Sequence, residues 1–166
     1  KSTTCQMLYG IFKSKNFDVR LIGNIGNPPL LEKKVSKRTI FIIEASSYQI
    51  SYSNYFKTDY AAILNLSADH LERHGNLNAY ANAKLKLIYN QNFNKQSYIE
   101  KNNLIINKNI SNKKIKSKLN KINYNKKKFF KKNIKNNYLL DKNNLQNNNF
   151  VYVICKQFKF SDTKIF

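Results

Sequence analysis

Short β-branched apolar bursts alternate with stretches of helical spacing along this chain, and that alternation narrows the fold more than any other feature. VRLIG (19–23), TIFIIEAS (39–46), AAILNLS (61–67) and NLIIN (103–107) have the length and residue types of buried strands, with weaker candidates at INY (122–124) and NYLL (137–140). Between them, Met7, Leu8, Ile11 and Phe12 fall on one helical face of STTCQMLYGIFKSK. Tyr80, Ala83 and Leu87, with Tyr89 at the margin, do the same in LNAYANAKLKLIYNQ. Strands interleaved with helices predict βαβ units, hence an α/β fold with a mainly parallel sheet flanked by helices. Ligands of such sheets collect at the carboxyl ends of strands, where Glu44 and the segment 65–70 fall. Gly26, Pro28 and Pro29 make a loop after the first strand. The region 92–137 carries the least pattern and reads as smaller strands and helices. Helical spacing returns in 139–166, with Ser161 and Asp162 as starters of a further helix and a boundary near Asp141.

At 166 residues and 42% hydrophobic content the chain can bury a real core. Cys5 and Cys155 stand far apart with no partner at metal-ligand spacing, so neither a disulfide framework nor a zinc site is supported, and a reducing cytoplasm is the expected compartment. The best apolar run is interrupted by Glu44, so no membrane span is expected. The net charge of +21 is lopsided: 18 Lys/Arg against 3 Asp/Glu after residue 94, against 12 and 6 before it. The excess sits in a tract of Lys, Asn and Ile, which reads as compositional drift on solvated faces. The rival reading is a nucleic-acid-binding surface over 108–135, but few aromatics interleave there to stack bases.

Four places could carry chemistry. KSTTCQ sets a lysine and hydroxyls at the start of an amphipathic helix, the second half of a phosphate-binding loop; Ser2 as an ordinary helix cap is the plainer alternative. Glu44 closes an apolar strand, where a carboxylate suits Mg²⁺, or simply faces solvent at an edge. His70 follows Asp69, which can cap a helix, at the end of the next strand; its imidazole can ligate a metal or lie on a wet surface. Lys84 sits on a helix, where a solvated lysine is the default.

Taken in order, KSTT, GNIGNPPL, IIEASSYQI, ILNLSADHLERHG, YANAKLKLIY and NNLQN resemble the central domain of the Mur ligases of peptidoglycan synthesis. EASSYQI and GNIGNPPL favour the branch that adds D-glutamate over sister enzymes and folylpolyglutamate synthases. The resemblance implies a phosphate-loop-type central domain over 1–141 and the beginning of a C-terminal ligase domain over 142–166. It implies ATP and Mg²⁺ as cofactors, UDP-N-acetylmuramoyl-L-alanine and D-glutamate as substrates, a monomer, and no specific nucleic-acid or membrane partner. Residue by residue, Lys1, Ser2 and Thr3 match the phosphate loop, and Glu44 and His70 match magnesium-side residues. Lys84 matches a lysine that is carbamylated in relatives and so turned into an anion able to hold Mg²⁺. Asn24, Gln49, His70 and Arg73 match the muramoyl-substrate side, and Asn144 and Asn147 the adenine side. Because the stretch corresponds to a central domain without its uridine-binding and D-glutamate-binding neighbours, no amide formation by the 166-residue chain alone is expected. Phosphate release from ATP in the presence of both substrates checks this.

Overall fold

Spacing and caps, taken together, account for the elements of the computed structural model, which describes residues 1–111, 113–123 and 127–165. The helices are α1 (Ser2–Ser14), α2 (Ser47–Tyr52), α3 (Leu71–His74), α4 (Leu77–Tyr89), α5 (Leu104–Ile110), α6 (Lys127–Asn133) and α7 (Lys142–Gln157). The strands are β1 (Val19–Gly23), β2 (Ile40–Glu44), β3 (Tyr60–Ile63), β4 (Gln96–Glu100) and β5 (Lys118–Ile122). Residues group into two units, one of Lys1–Ala45 with Tyr124–Phe166 and one of Ser46–Asn123.

In the first unit β1 and β2 pair in parallel from Val19↔Ile40 to Gly23↔Glu44. Parallel neighbours need a crossover rather than a hairpin, and the chain makes it through the loop containing the 3₁₀ turn Pro29–Leu31. α1 buries Thr4, Leu8 and Phe12, the face that its spacing predicts. Phe12 meets Phe158 edge-on with centroids 4.7 Å apart and lies 5.3 Å from Phe160, so the end of α7 is pinned to α1 by aromatic contact. α7 therefore packs within the unit that holds residues 1–45.

The second unit is built on the all-parallel order β3-β4-β5. α4 lays Tyr80, Ala81, Leu85 and Ile88 onto Ala61, Ile63 and Ile99, and α5 adds Ile106 and Ile110. Ala83 and Leu87, expected on the buried face, are half-buried; the face is turned toward Ala81 and Leu85. Below this core, Gln91 donates to the carbonyls of Thr58 and Gln96 and accepts from Ser97, whose hydroxyl also meets that of Ser117 at 2.6 Å. Gln91, Ser97 and Ser117 thus answer one another, which offsets the penalty of burying them.

Two expected strands are corrected. NLIIN is mostly the helix α5: the Asn103 side chain accepts the Ile106 N–H at 3.1 Å and donates to the Leu66 carbonyl at 2.9 Å, starting a helix where an apolar run alone is ambiguous. NYLL is a 3₁₀ turn begun by Asn136, whose side chain accepts from the Tyr138 N–H. Of INY, Ile122 ends β5 and Tyr124 lies outside the described residues. Ser161 precedes the short 3₁₀ turn Asp162–Lys164. Among the described residues no helix is long and apolar enough to cross a membrane.

Leu85→Ala should cost about 3 kcal/mol in urea unfolding, because a fully buried leucine leaves a cavity. Leu104→Ala, at an 83% exposed position, should change stability by less than about 0.5 kcal/mol.

Candidate functional site

Strand register sets the first part of the site. The last pair of β1 and β2 puts Gly23 opposite Glu44. Gly23 has φ +104°, and a Cβ there would lie 2.4 Å from the Glu44 carbonyl oxygen, so only glycine lets the two strand ends close this tightly. The next residue, Asn24, donates its backbone N–H to that carbonyl at 2.8 Å and its side-chain amide to Glu44 Oε1 at 3.3 Å. Lys1 Nζ stands 3.7 Å from the same oxygen. Glu44 is only 3% exposed, and its Oε2 is buried with no hydrogen-bond partner among the described residues. A buried carboxylate oxygen without a donor suits a hard divalent cation.

α1 begins beside this carboxylate in sequence register with Lys1. Lys1 occupies the N-cap position and no side chain caps the helix, so Ser2 is the first helical residue and not the cap. The free N–H groups of that turn and the helix dipole favour an anion. Burial, reinforced by Glu44, pushes the Cys5 thiol up to about 11. Behind the turn, Thr4 donates to Asn147 Oδ1 at 3.0 Å, Asn147 donates to Asn144 Oδ1 at 3.1 Å, and Asn144 donates to the Tyr138 carbonyl at 2.8 Å. The sequence pointed to Ser2 and Thr3 but missed Thr4, the hydroxyl that ties α1 to α7.

The second unit carries the other candidates. His70 has φ +53° and occupies the N-cap position of α3, so Asp69 is not the cap. Asp69 instead accepts the His70 N–H at 3.0 Å, and His70 Nε2 lies 3.4 Å from Asp69 Oδ2. The Tyr80 ring joins two candidates: Lys84 Nζ lies 4.5 Å from its centroid, and the His70 ring 6.1 Å. Burial lowers the Lys84 pKa, with Asp69 opposing that shift. Lys86 is committed elsewhere, to the Ser51 carbonyl at 2.9 Å and Asn54 Oδ1 at 3.0 Å, where it closes the end of α2.

Gln49 completes a reciprocal cap with Ser46, accepting its N–H at 2.8 Å and donating its own to the Ser46 hydroxyl at 3.2 Å. Arg73 donates to the Tyr52 hydroxyl. His74, which sequence reasoning passed over, meets the buried Ser47 hydroxyl at 3.1 Å and stacks on Tyr48. Its spacing of four from His70 was the available signal. Among the described residues no cluster of three or more His, Cys, Asp or Glu could hold a metal without other ligands. Mg²⁺, which keeps waters and phosphate oxygens, does not need one.

The sequence matches the model of the Mur ligase middle domain over residues 1–164. This chain belongs to the Mur ligase middle-domain family. Relatives include the UDP-N-acetylmuramoylalanine--D-glutamate ligase of Bacteroides fragilis, 38% identical over 55% of this chain and 21% of that protein. Enzymes of the same name from Bartonella henselae (39% identical, 53% of this chain, 19% of the relative) and Wolbachia pipientis (42%, 53% and 17%) are also similar. The chain thus spans about a fifth of the length of the curated relatives it matches. The family match runs through α7.

The basic tract of this Mur ligase middle domain lies apart from these groups in sequence. Lys118 and Lys121 are exposed on β5, the end strand in the order β3-β4-β5, where lysines discourage pairing with another strand.

Gly23→Ala should cost about 2 kcal/mol or more, since both its positive φ and the Glu44 carbonyl oppose a side chain. Urea unfolding measures it, and Gly10→Ala, where no atom stands within 4 Å of the added Cβ, is the control.

Proposed function

We propose that this chain is the phosphate- and metal-binding part of an ATP-dependent ligase of peptidoglycan synthesis that joins D-glutamate to UDP-N-acetylmuramoyl-L-alanine in the cytoplasm. The observation that carries this reading is Glu44 beside Lys1 at the uncapped start of α1, with one buried carboxylate oxygen left free. The names of the relatives favour D-glutamate over the acceptors of sister enzymes.

In this reading Lys1, Ser2, Thr3 and the first turn of α1 hold the terminal phosphates of ATP. Glu44 Oε2 and the Ser2 hydroxyl would hold a magnesium ion. His70 and a carbamylated Lys84 serve a second magnesium. Asn24, Gln49, His70 and Arg73 face the muramoyl substrate, and Asn144 and Asn147 the adenine side. When bound, magnesium supplies neutralisation of the charge that gathers as one anion approaches another. The γ-phosphoryl group passes to the substrate carboxylate and ADP leaves. The D-glutamate amine then attacks the acyl phosphate through a tetrahedral intermediate, and the amide forms as phosphate departs and the amine proton is lost. Catalysis of this kind rests on positioning and on fixed charges rather than on covalent work by side chains.

Lys84 carries a consequence of its own. Carbamylation needs the neutral amine, and burial lowers the Lys84 pKa, so a larger share is neutral at a given pH than for an exposed lysine. The share rises with pH, and with it the modification.

Calorimetry of Mg²⁺·ATP binding to the chain tests the reading. Lys1→Ala and Glu44→Gln should each weaken binding roughly tenfold or more, about 1.4 kcal/mol. Binding that ignores both substitutions would overturn it. With ¹³C-bicarbonate, a carbamate ¹³C signal that grows with pH and disappears in Lys84→Arg is expected; its absence at all pH values removes the second metal's ligand.

A further inference from the structure

We propose that Asn24 is a positioning residue that fixes Glu44 so that only its Oε2 is offered to a divalent cation. This rests on the reading of Glu44 as a ligand of nucleotide-bound magnesium. One residue grips the same glutamate twice, through the backbone N–H to its carbonyl at 2.8 Å and through the side-chain amide to Oε1 at 3.3 Å. Gly23 brings that grip close, since any side chain there would strike the Glu44 carbonyl. Lys1 adds its charge on the same oxygen, 3.7 Å away. The other oxygen is buried and lacks a hydrogen-bond partner among the described residues.

A freely turning carboxylate presents its two oxygens interchangeably and can bind a cation through one or both. Donors on Oε1 alone break that equivalence, so ligation is through a single oxygen, leaving the remaining positions of an octahedral cation to water and phosphate. The chemistry of the residue fits the task. Asparagine donates to the carboxylate without adding charge; aspartate would set a second anion against it, and leucine would fill the space and donate nothing. Groups behind a ligating carboxylate commonly govern metal affinity in this way.

The test uses Mn²⁺·ATP and metal-free ATP as separate probes of the 166-residue chain, the first followed by water-proton relaxation and the second by calorimetry. Asn24→Leu keeps the backbone bond and the bulk, and Asn24→Ala is a second variant in case leucine disturbs folding, checked by thermal melting. Both should bind Mn²⁺·ATP about tenfold more weakly than the parent while holding metal-free ATP as before. Equal loss for both probes would mean a merely structural role and overturn the inference, as would no loss for Mn²⁺·ATP. Glu44→Gln separates the two levels. If it weakens Mn²⁺·ATP binding while the Asn24 variants do not, the positioning role falls and the ligand reading stands. If it leaves Mn²⁺·ATP binding unchanged, the ligand reading itself has failed.

Discussion

A carboxylate taken out of water must find donors or a cation, and Glu44, 3% exposed, is only half provided for. Asn24 and Lys1 serve one oxygen and no hydrogen-bond donor serves the other among the described residues. The remaining architecture of the first unit can be understood as what holds this group in place. β2 must end at the same level as β1 for Gly23 to meet Glu44, which fixes the parallel register. α1 must start at Lys1, and its buried Leu8 and Phe12 keep it there against the strands and the end of α7. Incomplete pairing of this kind costs stability, and a cation bound to the unpaired oxygen would return it.

The second unit treats a cation by the same logic with the sign reversed. Lys84 is partly desolvated, which disfavours its charge, and the face of Tyr80 and the Asp69 carboxylate return part of what water would have given. His70 is held in a left-handed backbone conformation that few non-glycine residues adopt, with Asp69 bonded to its N–H.

What the sequence disclosed of this arrangement follows a physical line. α1, β1, β2, β3 and α4 were legible because their apolar spacing is local. β4 was not, since QSYIE places Ser97 on its buried side and that serine is satisfied only by Gln91 and Ser117, neither of which a local pattern reveals. α5 was misread because a run of three apolar residues fits either period, and the Asn103 cap that decides it looks like any loop asparagine. Glu44 stood out as a charge at the end of an apolar strand. Its contact with Asn24 did not, because a parallel pair brings together residues 20 apart with nothing in either segment to announce the partner. Thr4 was invisible for the same reason, since its importance lies in a partner on another element, and His74 offered only its spacing from His70.

The skewed composition shows how physics sorts residues that drift supplies in excess. Isoleucine fills core positions at 63, 88, 99, 106 and 110 in the second unit. Asparagine starts elements at Asn76, Asn103 and Asn136, where its side chain accepts a backbone N–H, and elsewhere donates to backbone carbonyls, as Asn107 does to Lys101 and Asn133 to Phe129. Lysine goes to exposed places, including the end strand β5, where its charge deters strand addition. None of these uses requires a nucleic-acid partner to explain it. Two lysines have partners of another kind: Lys1 stands 3.7 Å from a buried carboxylate, and Lys84 is half withdrawn from water over an aromatic ring.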